Sequence, residues 1–182
     1  MFKHIFFIFF LLLAANSFAS NKEKIITNLN DTKNLNFEFE QNINGKIEKG
    51  NCVIEYPKKI YCEYDLSNRK ILVSNGKSLI IKTISSYYKY PLDKTPLNLI
   101  LDKSFLIEKI SELSERIVDG NYVNFTINEK DNEINIFFDA DTFNLIGWQN
   151  TDIYQNFNIT FLSLVKKNEI IPKNLFLLPA QN

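Results

Sequence analysis

Residues 35–64 read LNFEFEQNINGKIEKGNCVIEYPKKIYCEY. Phe37, Phe39, Gln41 and Ile43 alternate with Glu38, Glu40 and Asn42, the two-residue period of a half-buried strand. Asn44-Gly45 marks a tight turn. Cys52, Ile54 and Tyr56 then alternate with Val53 and Glu55. Pro57-Lys58-Lys59 turns the chain again, and Ile60, Cys62 and Tyr64 alternate with Tyr61 and Glu63 on the return. Three strands joined by short turns form an antiparallel meander with one apolar and one polar face.

The pattern continues outward. Ile71–Ser74, the Asn75-Gly76 turn and Ser78–Ile84 form a further hairpin, and Tyr87–Tyr90 a short strand. Tyr122–Asn128, Glu133–Asp139, Asn144–Asp152 and Asn156–Val165 are strands between polar turns, and Phe176–Leu178 is a last one ended by Pro179. Ile25, Ile26 and Leu29 place an amphipathic helix over residues 22–33. At Thr95-Pro96 a hydroxyl suited to capping precedes a proline suited to the first helical position. Leu97, Ile100 and Leu101 then share one face of a short helix, either a plug in a core or a lid on a cavity. Leu106, Ile110, Leu113 and Ile117 have helical spacing, yet residues 112–118 also read as a strand. The expectation is an α+β protein: a curved antiparallel sheet curling into a barrel or half-barrel, with segregated helices.

The ends narrow the chemistry. Lys3 and His4, nine apolar residues from Ile5 to Leu13, and Ser17-Phe18-Ala19 compose a cleavable secretory leader over residues 1–19, too short in its apolar run to span a membrane. A single soluble domain, residues 20–182, is then expected outside the cytoplasm. His4, the sole histidine, leaves with the leader, which removes Ser-His and Cys-His nucleophilic pairs and histidine-containing zinc sites. The remaining 20 basic and 21 acidic residues offer little to nucleic acid, whose binding rests on neutralised phosphates. No catalytic, metal or cofactor site stands out. Glu38, Glu40, Glu55 and Glu63 fall on the polar phase, and Asp139 and Asp141 bound a turn.

The apolar phase is richer. Phe37, Phe39, Ile54, Tyr56, Ile60, Tyr64, Ile71 and Val73 are expected to share one face, which is either a packed core or a ligand cavity. Cys52 and Cys62 are either a disulfide or two buried free thiols.

These residues resemble a known family, the periplasmic outer-membrane lipoprotein carriers, LolA. Phe39-x-Gln41, Gly50, Ile54-x-x-Pro57 and Tyr61-x-x-Tyr64 come in the family order. Ile71-Leu-Val-Ser-Asn-Gly-Lys77-x-Leu79 is similar to its central hairpin, and Tyr90-Pro-Leu-x-x-Thr-Pro-Leu97-x-x-x-Leu101 to the alphaproteobacterial version of its next segment. Phe138-Asp139, Leu145–Trp148 and Leu175-Phe176-x-Leu-Pro179 complete the resemblance. It implies an incomplete antiparallel β-barrel covered by short α-helices, with Pro96, Leu97, Ile100 and Leu101 as a lid over an apolar cavity. It also implies a monomeric periplasmic chaperone without enzymatic activity. Such a carrier takes acylated lipoproteins from an inner-membrane ABC transporter to an outer-membrane receptor.

Three positions depart from the family pattern. Tyr56 stands where many members have an arginine that holds the lid; a phenol can donate one hydrogen bond to a lid carbonyl but brings no charge. Cys62 stands where an aromatic residue is common, and Ile80 where tryptophan is. The alternative is a lipid-binding or regulatory module of the same fold. An outer-membrane receptor of that fold would need a lipid-bearing cysteine where Ser20-Asn21-Lys22 stands.

Overall fold

The alternation of residues 35–64 becomes three paired strands, β1 (Asn34–Ile43), β2 (Lys46–Glu55) and β3 (Lys59–Tyr64). The computed structural model describes residues 19–129, 132–151 and 156–181, so the expected leader lies, but for Ala19, outside the described residues. The meander runs on through β4 (Ile71–Asn75), β5 (Ser78–Lys82) and β6 (Tyr87–Pro91). The other half comprises β7 (Arg116–Val118), β8 (Tyr122–Glu129), β9 (Asn132–Asp139), β10 (Leu145–Thr151) and β11 (Phe157–Lys167).

All eleven strands form one antiparallel sheet in the order β6-β5-β4-β3-β2-β1-β11-β10-β9-β8-β7. The seam is the β1–β11 pair, which joins the two ends of the sequence across a register shift between Asn36 and Glu38. β6 and β7 remain as edges, so the barrel is incomplete.

Among the described residues three α-helices pack on the concave side: α1 (Asn21–Asp31), α2 (Leu97–Leu101) and α3 (Lys103–Glu112). α1 begins in a capping box: Ser20 accepts from the Glu23 N–H, and the Glu23 carboxylate accepts from the Ser20 N–H. Its carboxyl end is met by Lys103, whose ammonium donates to the carbonyls of Asn30 (3.2 Å) and Thr32 (2.9 Å), a cation where the helix dipole is negative. Ile25, Leu29, Ile100, Leu101, Leu106 and Ile110 bury against Phe37, Ile54, Phe125 and Phe138 in a single core.

Three local expectations change. Thr95 does not cap α2 with its hydroxyl, which donates back to the Leu92 carbonyl (2.8 Å) and closes a 3₁₀ turn at Leu92–Lys94. The ambiguous stretch divides: α3 ends at Glu112, and β7 begins at Arg116. Phe176–Leu178 is no strand. Residues 173–176 form a turn flanked by Pro172 and Pro179, neither of which has an N–H for a ladder.

Candidate functional site

Register decides which side chains face the helices. Phe37 lies opposite Cys52, Cys52 opposite Cys62, Cys62 opposite Leu72, and Leu72 opposite Ile81. These rows form the concave face. Cys52 and Cys62 are disulfide-bonded, with Cα atoms 4.1 Å apart, so the first of the two readings left by the sequence holds. The bond clamps β2 to β3 in the wall itself.

Between this wall and α2 lies a cavity of about 250 Å³. Phe39, Cys52, Ile60, Cys62, Tyr64, Leu72, Leu79 and Ile81 line one side, and Pro96, Leu97 and Ile100 roof it. Phe39 and Tyr64 pack edge to face, centroids 4.9 Å apart. Gly50 permits that contact, since a Cβ there would stand 2.9 Å from the Phe39 ring and 2.1 Å from the Glu63 carbonyl oxygen. A larger cleft of about 720 Å³ lies between Lys33, Glu55, Lys59, Glu169 and Lys173, with Tyr56, Ile171, Phe176 and Leu177 also in its lining.

The expected cavity residues therefore separate. Phe39, Ile60 and Tyr64 line the cavity. Phe37 and Ile54 share its face but are packed into the core beside it. Ile71 and Val73 are on the opposite, convex face: Val73 pairs with Tyr61 and Ile80, one residue out of phase with Leu72. Alternation could not assign this hairpin, because Ile71-Leu72-Val73 and Leu79-Ile80-Ile81 are apolar on both phases. Val73 and Ile80 are nonetheless buried. The carboxyl-terminal segment crosses that face, its Pro179 and Ala180 carbonyls accepting from Tyr87 (3.3 Å) and Lys82 (2.8 Å).

The lid residues separate too. Pro96, Leu97 and Ile100 face the cavity, while Leu101 is fully buried in the core without lining it. α2 is thus a roof at one end and a plug at the other.

Tyr56 is not the latch. Its ring lies under the Lys103 ammonium, 5.9 Å from the centroid. Its hydroxyl is buried without a hydrogen-bond partner among the described residues, and burial pushes the phenol's pKa well above its ordinary value. The contact to the lid comes from the next turn residue but one. The Lys58 N–H donates to the Leu101 carbonyl (2.9 Å), and its ammonium pairs with Asp102 (3.1 Å). Asp102 also caps α3 by accepting from the Phe105 N–H (3.2 Å). In the sequence Lys58 is legible only as a turn residue, and nothing local there marks Asp102 as its partner.

The opposite wall, from β1, β10 and β11, was not anticipated. It presents Gln41, Asn150, Asn158 and Thr160, with Trp148 beside them. Gln41 donates to Asn158 (3.0 Å) and Thr160 (3.3 Å), and its carbonyl oxygen accepts from the Tyr64 hydroxyl (3.4 Å). The one signal in the sequence was Gln41, a polar residue in the apolar phase of its strand. Next to it on β2, the buried Glu48 is held by Lys46 (2.6 Å) and Lys70.

Comparison with known proteins agrees with this architecture. No curated protein matches the sequence. Among solved structures, MucB superposes with a TM-score of 0.51 at 11% identity, over 89% of this chain and 63% of MucB's; the chain thus spans under two thirds of that protein. A conserved protein from Thermus thermophilus gives 0.52 at 6% identity, over 88% of this chain and 95% of its own. A LolA-superfamily protein from Nitrosomonas europaea gives 0.46 at 8%, over 88% and 99%. At such identities the likeness to the first two is one of fold. The family profile described as outer membrane lipoprotein carrier protein LolA matches residues 30–178, which hold every strand, the lid and the cavity, and the chain belongs to that family.

Proposed function

We propose that this protein is a periplasmic carrier that holds the acyl chains of lipoproteins in the cavity under α2. It would receive them from an inner-membrane ABC transporter and deliver them to an outer-membrane receptor, with no covalent step. The observation that carries this reading is the roofed apolar cavity in a LolA-family chain: Leu97 and Ile100 cover a wall of Phe39, Ile60, Leu72, Leu79 and Ile81. Each acyl methylene taken from water contributes about 0.8 kcal/mol, so a multiply acylated chain crosses an aqueous space only when covered.

The closed cavity is smaller than the roughly 300–1,000 Å³ of ordinary ligand sites. Several acyl chains therefore enter only if α2 lifts, and the ligand selects that open state. The Lys58–Asp102 pair suits such a lid. Both side chains are partly exposed, and ion pairs of that kind contribute at most about 1 kcal/mol, enough to bias closure without blocking release.

The test uses the protein's single tryptophan, which lines the cavity. Titration with a triacylated lipopeptide should change Trp148 emission saturably, and native mass spectrometry should find the one-to-one complex. Leu97→Asp should weaken that binding at least tenfold while the protein stays folded. An unchanged spectrum with only ligand-free protein in the mass spectrometer sinks the carrier reading.

A further inference from the structure

The cavity is not uniformly apolar. Its sheet wall over β2–β5 and its roof offer hydrocarbon, whereas β1, β10 and β11 offer two amides, a hydroxyl and the Gln41 side chain at one place. The register makes this a patch: Gln41 lies opposite Thr160, Thr160 opposite Trp148, and Asn158 opposite Asn150. A cavity meant only for hydrocarbon would lose affinity from every such group, because a polar group stripped of water without a partner costs about 1–3 kcal/mol.

The patch is also held in place. Gln41 bonds to Tyr64, Asn158 and Thr160, which fixes three of the side chains around it. Asn150 is different. It is only 8% exposed and lines the cavity, yet its side-chain amide has no hydrogen-bond partner among the described residues. An amide so placed has donor capacity aimed at whatever fills the cavity.

We propose that Asn150, with Thr160 and Asn158 beside it, forms a recognition site for the ester carbonyls of a glyceryl-linked acyl lipid. The hydrocarbon would then run along Leu72, Leu79 and Ile81 beneath Leu97 and Ile100. This rests on the carrier reading above and adds to it a polar anchor that sets how the ligand is oriented. In the complex an ester oxygen accepts from the Asn150 amide. The chemistry is shared by a lipoprotein's diacylglyceryl group and by a glycerophospholipid.

The experiment compares a diester with its diether. Trp148 emission is titrated with a dipalmitoylglyceryl-cysteinyl lipopeptide and with its dihexadecyl ether, which has the same chains but no carbonyls. The same pair is run on a phosphatidylglycerol scaffold. The native protein should prefer the ester about three- to tenfold on at least one scaffold, the size expected for one or two neutral hydrogen bonds. Asn150→Leu and Thr160→Val, both close in volume to the native residues, should bring that ratio to near one. Equal binding of ester and ether by the native protein on both scaffolds overturns the proposal and needs no variant to show it. Full retention of the preference in both variants overturns it too. Binding of neither ester nor ether is a separate result: it removes the carrier reading itself, and the ester site with it.

Discussion

At Tyr56 the buried hydroxyl has no hydrogen-bond partner among the described residues, although the ring is well used under Lys103. An orphaned buried hydroxyl costs about 1–3 kcal/mol, whereas replacing it with hydrogen leaves the packing in place. Tyr56→Phe should therefore raise thermal stability by about 1 kcal/mol, or roughly 2–4 °C for a chain of this size, read by calorimetry. A loss of similar size would mean that the phenol has a partner in solution and acts on the lid after all. Tyr56 stands where many family members carry an arginine; a phenol there could donate to a lid carbonyl, and its hydroxyl makes no such bond. It occupies the turn, while Lys58 supplies both the charge and the backbone donor that reach the lid.

Among the elements, α2 carries the functional question. With five residues it is too short to be stable alone, so its position depends on what touches it. Ile100 and Leu101 anchor it in apolar surroundings, and Lys58 ties its end to the β2–β3 turn. Asp102→Asn separates the two roles of that carboxylate: asparagine still caps α3, but the pairing with Lys58 loses its charge. The variant should keep its unfolding temperature within about 2–4 °C and take up lipopeptide up to about fivefold faster, as measured by stopped-flow Trp148 fluorescence. An uptake rate equal to that of the native protein would leave the Lys58–Leu101 backbone bond as the only latch. The spacing of Leu97, Ile100 and Leu101 was enough to predict the helix and its apolar face. It could not reveal that the face divides between cavity and core, because neighbouring positions on one helical stripe meet different neighbours along its length.

For the whole molecule, Glu48 links stability to acidity. Burial pushes its carboxyl pKa up, but hydrogen bonds from Lys46 and Lys70 and their positive charges outweigh that and hold it below the ordinary value of 4.5. A pKa lower in the folded than in the unfolded state gives stability that is complete above the unfolded value and is lost as pH falls through the folded one. Unfolding temperature should then decline below about pH 4.5, and Glu48→Gln should flatten that decline while lowering stability at neutral pH. Asp139, lowered by hydrogen bonds from Thr142, keeps some acid dependence in the variant. A native-like acid limb in Glu48→Gln would show that the buried cluster does not set it.

Sequence alone determined the strand-rich architecture of this protein, the first helix, the presence of a short apolar helix after Thr95-Pro96 and the absence of histidine chemistry from residues 20–182. Those are local properties: periodicity, turn residues and composition act within a few positions of the chain. Tertiary structure decided what faces the cavity. Hairpin register sent Val73 outward and Leu72 inward, a one-residue difference that alternation cannot resolve where both phases are apolar. Pairing of β1 with β11 brought Gln41 to Asn158 and Thr160, more than a hundred residues away, and so built a polar wall that no stretch of the sequence contains.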